Sequence, residues 1–169
     1  MQESPYLEGR EDLMVSMKRM PAFATLPDGQ LKKILSLSKI RKYEKGETIL
    51  QEGSFDCWMY FIISGNVRVE KSGKKIGEIH GSGAVFGEMG VIDGSERSAS
   101  VKALGDTMCL AVDASFLDRM DETERAFCYT VLYRLFVEIL AERLRSTSNE
   151  LAEAKEKMSI LRKKIVDCD

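Results

Sequence analysis

Histidine is nearly missing. His80 stands alone in 169 residues, whereas metal-dependent oxygenases and isomerases usually converge several histidines on one ion. A carboxylate-only metal site would need an acidic cluster, and the sequence shows none. The reading is therefore of a protein that is not an enzyme and carries no metal or cofactor. Cysteine is sparse too: Cys57, Cys109, Cys128 and Cys168 never form a CxxC pair, which argues against a zinc cage or redox motif and leaves free thiols. No stretch approaches the roughly 18 apolar residues of a membrane span, and the segment "MQESPYLEGREDLMVSMKRM" lacks the apolar core of a secretory leader. A cytoplasmic protein without a membrane partner is expected. Charge of one sign is lacking as well: 25 Lys and Arg face 27 Asp and Glu, a net charge of −2. No basic field invites nucleic acid, and any charge-based recognition must be local.

What is present suits one buried domain with an appendage. Three segments are expected: a helical extension over 1–20, a β domain over 21–120 and a long helix over 121–169. Leu13, Met14, Met17 and Met20 predict an amphipathic helix over 8–20, stopped by Pro21. Asp28 reads as the N-cap of a second helix over about 29–38, with Leu31, Ile34 and Leu35 at helical spacing. From Ile40 to Val112 the period changes to short runs of Val, Ile, Phe and Tyr between turn signals such as "EKGE", "SGN", "KSGKK" and "DGS". The fold class is thus mainly β with flanking helices: an antiparallel jelly roll or barrel of about eight short strands. In "NVRVEK", Val67 and Val69 should face inward and Arg68 and Glu70 outward. Trp58 reads as core aromatic mass.

From Asp121 the helical period returns. "DETE" sets an acidic cap, and nothing between Glu122 and Val166 breaks the helix, so its length is about 65 Å at about 1.5 Å per residue. Val137, Leu144, Leu151, Met158 and Ile165 recur in heptad spacing, with Leu140, Thr147, Ala154 and Leu161 at the offset positions. A parallel or antiparallel coiled-coil homodimer explains this seam. A monomer that folds the stripe back onto its own β domain is the alternative.

One stretch, "FGEMGVIDGSERSASV" at 86–101, sets a single acid and a single base among glycine, small and apolar residues. Gly87 and Gly90 would let backbone approach a guest, and a helical turn starting at Gly87 would aim free amides at an anion. Arg97, at the start of the next strand, could fold back over "DGSE" and pair with that anion, with Ser98 adding a hydroxyl donor. Glu88 would then accept hydrogen bonds from neighbouring hydroxyls, as a ribose offers. A Glu88–Arg97 salt bridge that merely fastens a loop fits the spacing equally well.

The stretch resembles the phosphate-binding cassette of the cyclic nucleotide-binding domain family, in which Phe-Gly-Glu is followed by Arg, a small residue and Ala. The upstream "ILQEGSFDCWMYFIISGNVRV" resembles that family's other signature, a Gly before an apolar strand and a Ser-Gly turn. The resemblance spans about residues 20–150. Leu50, Ser54 and Asp56 are less usual choices around Gly53, and Glu96 stands where a proline often precedes the arginine. The resemblance implies that Glu88 and the Gly87 amide hold the ribose 2′-hydroxyl. Arg97 would pair with the cyclic phosphate, Ser98 and Ala99 would donate to it, and Val85, Phe86 and Met89 would line the pocket.

Further on, "ERLRSTSNEL" resembles the central helix of the bacterial cyclic AMP receptors within that family, whose Thr-Ser pair meets the adenine amino group. Thr147 and Ser148 fall on that pair, and Arg143 on a brace for Glu88. Thr147 can equally be a polar residue that sets coiled-coil register. The chain reaches Asp169 while still in the coil, so no DNA-reading domain and no direct nucleic acid contact are expected. Together these imply a non-catalytic cyclic AMP sensor that signals through its C-terminal helix to an unidentified downstream protein. Cyclic GMP as ligand, with Ser98 meeting the guanine, and a dimerisation module that has lost its ligand are the alternatives.

Overall fold

The structure is a computed structural model that describes residues 1–115 and 121–166, less the side chains at 21, 124, 127, 128, 131, 135 and 161–166. Cys168, the Cys128 thiol, the heptad side chains Leu161 and Ile165, and the boundary expected at residue 120 lie outside the described residues. Two compact units are present, Met1–Tyr133 and Arg134–Asp169.

In the first unit the strands are β1 (Gln2–Glu3), β2 (Ser38–Tyr43), β3 (Thr48–Leu50), β4 (Trp58–Ser64), β5 (Asn66–Lys71), β6 (Lys74–His80), β7 (Val85–Phe86), β8 (Ser100–Ala103) and β9 (Thr107–Asp113). They form two antiparallel sheets, ordered β1-β2-β9-β4-β7 and β3-β8-β5-β6. The expected class, mainly antiparallel β with flanking helices and a long C-terminal helix, is the one observed. Strand β1 was not foreseen, because two residues carry no period to read. It is held by register with β2, Gln2 opposite Lys42 and Glu3 opposite Arg41.

The core lies between the sheets. Tyr43, Tyr60, Ile62, Phe86, Cys109 and Ala111 of the first meet Leu50, Val67, Val101 and Ala103 of the second. Val67 is fully buried and Val69 packs against this cluster, as the alternation in β5 predicts. Trp58 is half-buried against the same cluster. Strand β4 reads "WMYFIIS" without clean alternation because both its faces are covered. Phe61, on the face away from the inter-sheet core, packs on Phe23 with ring centroids 4.5 Å apart.

The helices on that face differ from expectation in detail. The segment over 8–20 is broken: Gly9 sits at φ +75°, a 3-10 turn covers Glu11–Leu13, and α1 runs only over Met14–Lys18. Its methionines still bury Met14, Met17 and Met20. Helix α2 covers Asp28–Ser36, and its N-cap is Pro27 rather than Asp28. The Pro27 carbonyl accepts the amides of Gln30 and Leu31 at 3.0 and 3.1 Å. That leaves the Asp28 carboxylate to pair with Lys18. Between β7 and β8 lies α3 (Glu88–Asp93). Helix α4 runs over Glu122–Val166, as its unbroken sequence predicts. The Asp121 carboxylate accepts the Thr123 amide at 3.0 Å and its carbonyl the Arg125 amide at 2.9 Å, so the acidic cap forms.

Candidate functional site

The stretch 86–101 folds as a strand end, a short helix and a loop that returns to β8. Phe86 closes β7, and its ring stacks on Tyr60 with centroids 5.1 Å apart and planes 5° from parallel. Gly87 then turns the chain at φ +80°, a left-handed conformation that glycine adopts without penalty, and caps α3. The glycines have a tighter steric role than approach to a guest. A Cβ at Gly87 would lie 3.1 Å from the Leu50 Cδ1, 3.2 Å from the Trp58 carbonyl oxygen and 3.3 Å from Arg97 Nη1. One at Gly90 would lie 3.0 Å from the same Nη1. The arginine is among the atoms crowding both positions, together with Leu50 and the Trp58 carbonyl at Gly87 and the Ser95 carbonyl at Gly90.

Glu88 is fully buried at the start of α3, and Arg97 is 4% exposed. Arg97 is not yet in the next strand, which begins at Ser100. Its backbone nonetheless pairs with the loop after β3: the Arg97 amide donates to Ser54 O at 2.8 Å, and Gly53 N donates to Arg97 O at 2.9 Å. The guanidinium is held by Asp56, with Nε donating to Oδ2 at 3.1 Å and Nη2 to Oδ1. Nη1 also donates to the Gly87 carbonyl and Nη2 to that of Trp58. The loop-fastening bridge left open by the sequence therefore exists with another acid, Asp56 in place of Glu88. Asp56 registered in the sequence only as an unusual choice near Gly53. Forty-one residues separate it from Arg97, so no local pattern could join them.

The profile of the cyclic nucleotide-binding domain family matches residues 40–124, which contain all of this geometry. The chain belongs to the cyclic nucleotide-binding domain family. It is 32% identical over 139 residues to the cyclic AMP receptor protein of Thermus thermophilus, covering 80% of this chain and 62% of that protein. It is 33% identical over 100 residues to a cGMP-dependent protein kinase of Plasmodium berghei, covering 59% of this chain and 12% of the kinase. The chain thus spans less than two thirds of the length of these curated relatives. A cyclic nucleotide-binding domain from Methylobacillus flagellatus has the same fold, with TM-score 0.70, 20% identity and coverage of 88% and 86% of the two chains.

In this cyclic nucleotide-binding domain the remaining expected residues fall as follows. Val85 is buried beside Phe86, Met89 is 48% exposed on α3, Ser98 is exposed and Ala99 half-buried. Val85, Phe86, Gly87, Glu88, Met89, Arg97, Ser98 and Ala99 share the first unit, whereas Arg143, Thr147 and Ser148 belong to the second. Thr147 and Ser148 are exposed there and Arg143 is half-buried. Beside the cassette, the Arg41 guanidinium lies 3.8 Å from the Trp58 ring centroid and donates to the Tyr60 hydroxyl at 2.7 Å. Burial pushes the Tyr60 phenol above its ordinary value, so it stays protonated. Nothing in the sequence marked out Arg41, which is one of three basic residues in the short strand "SKIRKY". Among the described residues no cluster of His, Cys, Asp or Glu could hold a metal ion, and no helix is long and apolar enough to cross a membrane.

Proposed function

We propose that the chain is a non-catalytic cyclic nucleotide sensor whose ligand is cyclic AMP. The observation that carries the reading is a buried carboxylate and a buried guanidinium in one short segment: Glu88 opens α3 next to Gly87, and Arg97 follows three residues after Gly94, which closes that helix. A cyclic nucleotide offers the matching chemistry, a phosphodiester anion for the arginine and a ribose hydroxyl for the acid. In this reading Glu88 and the Gly87 amide take the 2′-hydroxyl, and Arg97, Ser98 and Ala99 take the phosphate. Val85, Phe86 and Met89 line the site. Thr147 and Ser148 supply the adenine contact. Cyclic GMP is the second reading, favoured by the exposed hydroxyl of Ser98, which follows the arginine directly.

The ligand acts by contacting one arrangement of the domain better than another, and α4 carries the change to a downstream protein in the cytoplasm. The seam residues Val137, Leu144, Leu151 and Met158 are all more than half exposed, which supports a homodimer through this helix. A thermal unfolding series with cyclic AMP tests the reading. At a hundredfold excess over the dissociation constant the ligand should add about 2.7 kcal/mol of stability. Calorimetry on Arg97→Leu should show that binding lost; unchanged affinity in this variant overturns the assignment.

A further inference from the structure

The Arg97 guanidinium is almost saturated by the protein itself. Of the five N–H groups that an arginine carries, one meets Asp56 Oδ2, one Asp56 Oδ1, one the Gly87 carbonyl and one the Trp58 carbonyl. Asp56 takes the Nε/Nη2 edge in the paired geometry that a phosphate would otherwise use. We propose that Asp56 is an internal anion that occupies the cassette arginine and must yield before the ligand's phosphate can bind, so that this residue lowers and sets the affinity of the site. The inference rests on the cyclic nucleotide reading given above.

Which partner yields follows from how each is held. The arginine side chain is 3% exposed and pinned by two backbone carbonyls, whereas the Asp56 side chain is 30% exposed. Asp56 sits on the connection from β3 to β4, where its Oδ1 also accepts the Trp58 amide at 2.9 Å. The carboxylate can therefore turn toward water, and the guanidinium cannot leave. One positive charge also cannot neutralise two anions. A phosphodiester that joined the pair with Asp56 still in place would meet a like charge at hydrogen-bonding range, which raises the cost of binding. Asp56 in turn spares the protein a buried cation without a counter-ion while the site holds no anion. The connection bearing Asp56 is tied to Arg97 through the backbone as well, by Gly53 and Ser54.

The test is calorimetric titration of cyclic AMP, and separately cyclic GMP, into the whole chain and its variants. Asp56→Asn keeps the shape and an oxygen for the Trp58 amide but removes the charge. It should bind at least about tenfold more tightly than the wild type, the size of one charge-assisted contact. Asp56→Ser should shift affinity in the same direction, and Asp56→Glu, which restores the carboxylate, should return it toward the wild-type value. Without nucleotide, Asp56→Asn should melt below the wild type. Wild-type binding together with equal or weaker binding by Asp56→Asn and Asp56→Ser overturns the proposal alone, because Asp56 would then hold the arginine for the phosphate rather than against it. Absence of binding of either nucleotide by every protein, wild type included, overturns the cyclic nucleotide reading and this proposal with it.

Discussion

Replacing Gly87 by alanine isolates the packing of the cassette against its arginine. The residue sits at φ +80°, where an L side chain costs about 1–2 kcal/mol. Loss of the glycine's freedom in the unfolded chain offsets about 0.4–1 kcal/mol of that. Gly94, at φ +65° with nothing within 4 Å of its Cβ direction, meets only these two terms. Gly94→Ala should therefore destabilise by about 1 kcal/mol. At Gly87 the new methyl also presses on Leu50 Cδ1 at 3.1 Å, the Trp58 carbonyl oxygen at 3.2 Å and Arg97 Nη1 at 3.3 Å. The leucine tip can give way, but the carbonyl is backbone and the guanidinium is pinned. Crowding of this kind typically adds about 1–3 kcal/mol, for a total of about 2–4 kcal/mol. Urea denaturation followed by fluorescence of Trp58, the single tryptophan, measures both variants against the wild type. A Gly87→Ala loss within about 0.5 kcal/mol of that of Gly94→Ala refutes the steric argument.

Two further outcomes are expected. Leu144→Glu with Leu151→Glu puts charge on a seam whose leucines are 69% and 54% exposed in the single chain; light scattering should show a wild-type dimer and a variant monomer, and a wild-type monomer ends the coiled-coil reading. Glu3 is held below the ordinary carboxylate range, first by a hydrogen bond from Lys39, with Arg41 adding to it and desolvation opposing. A depressed folded pKa stabilises above the unfolded value and is lost as pH falls through the folded one. Glu3→Gln should thus cost up to about 1 kcal/mol at neutral pH, and the gap to wild type should close in acid when unfolding is followed across that range.

Much of the architecture was readable one residue at a time. The bounds of α4 over Glu122–Val166 follow from a run without glycine or proline, the strands from Ser38 to Asp113 follow from β-branched and aromatic runs between turn signals, and the turn at Gly87 from the one residue type that tolerates it. These features depend on local dihedral preference and period, which neighbouring residues carry. The break in the first helix and the Pro27 cap of α2 departed from that reading because competing turn geometry at the same few residues prevailed. The carboxylate on Arg97 could not be read at all. Glu88 is nine positions away in the same segment, yet Asp56 reaches the guanidinium because pairing of Gly53 and Ser54 with Arg97 lays two distant loops side by side. Contacts of that kind depend on how sheets register and close, and the linear order of residues holds no trace of them.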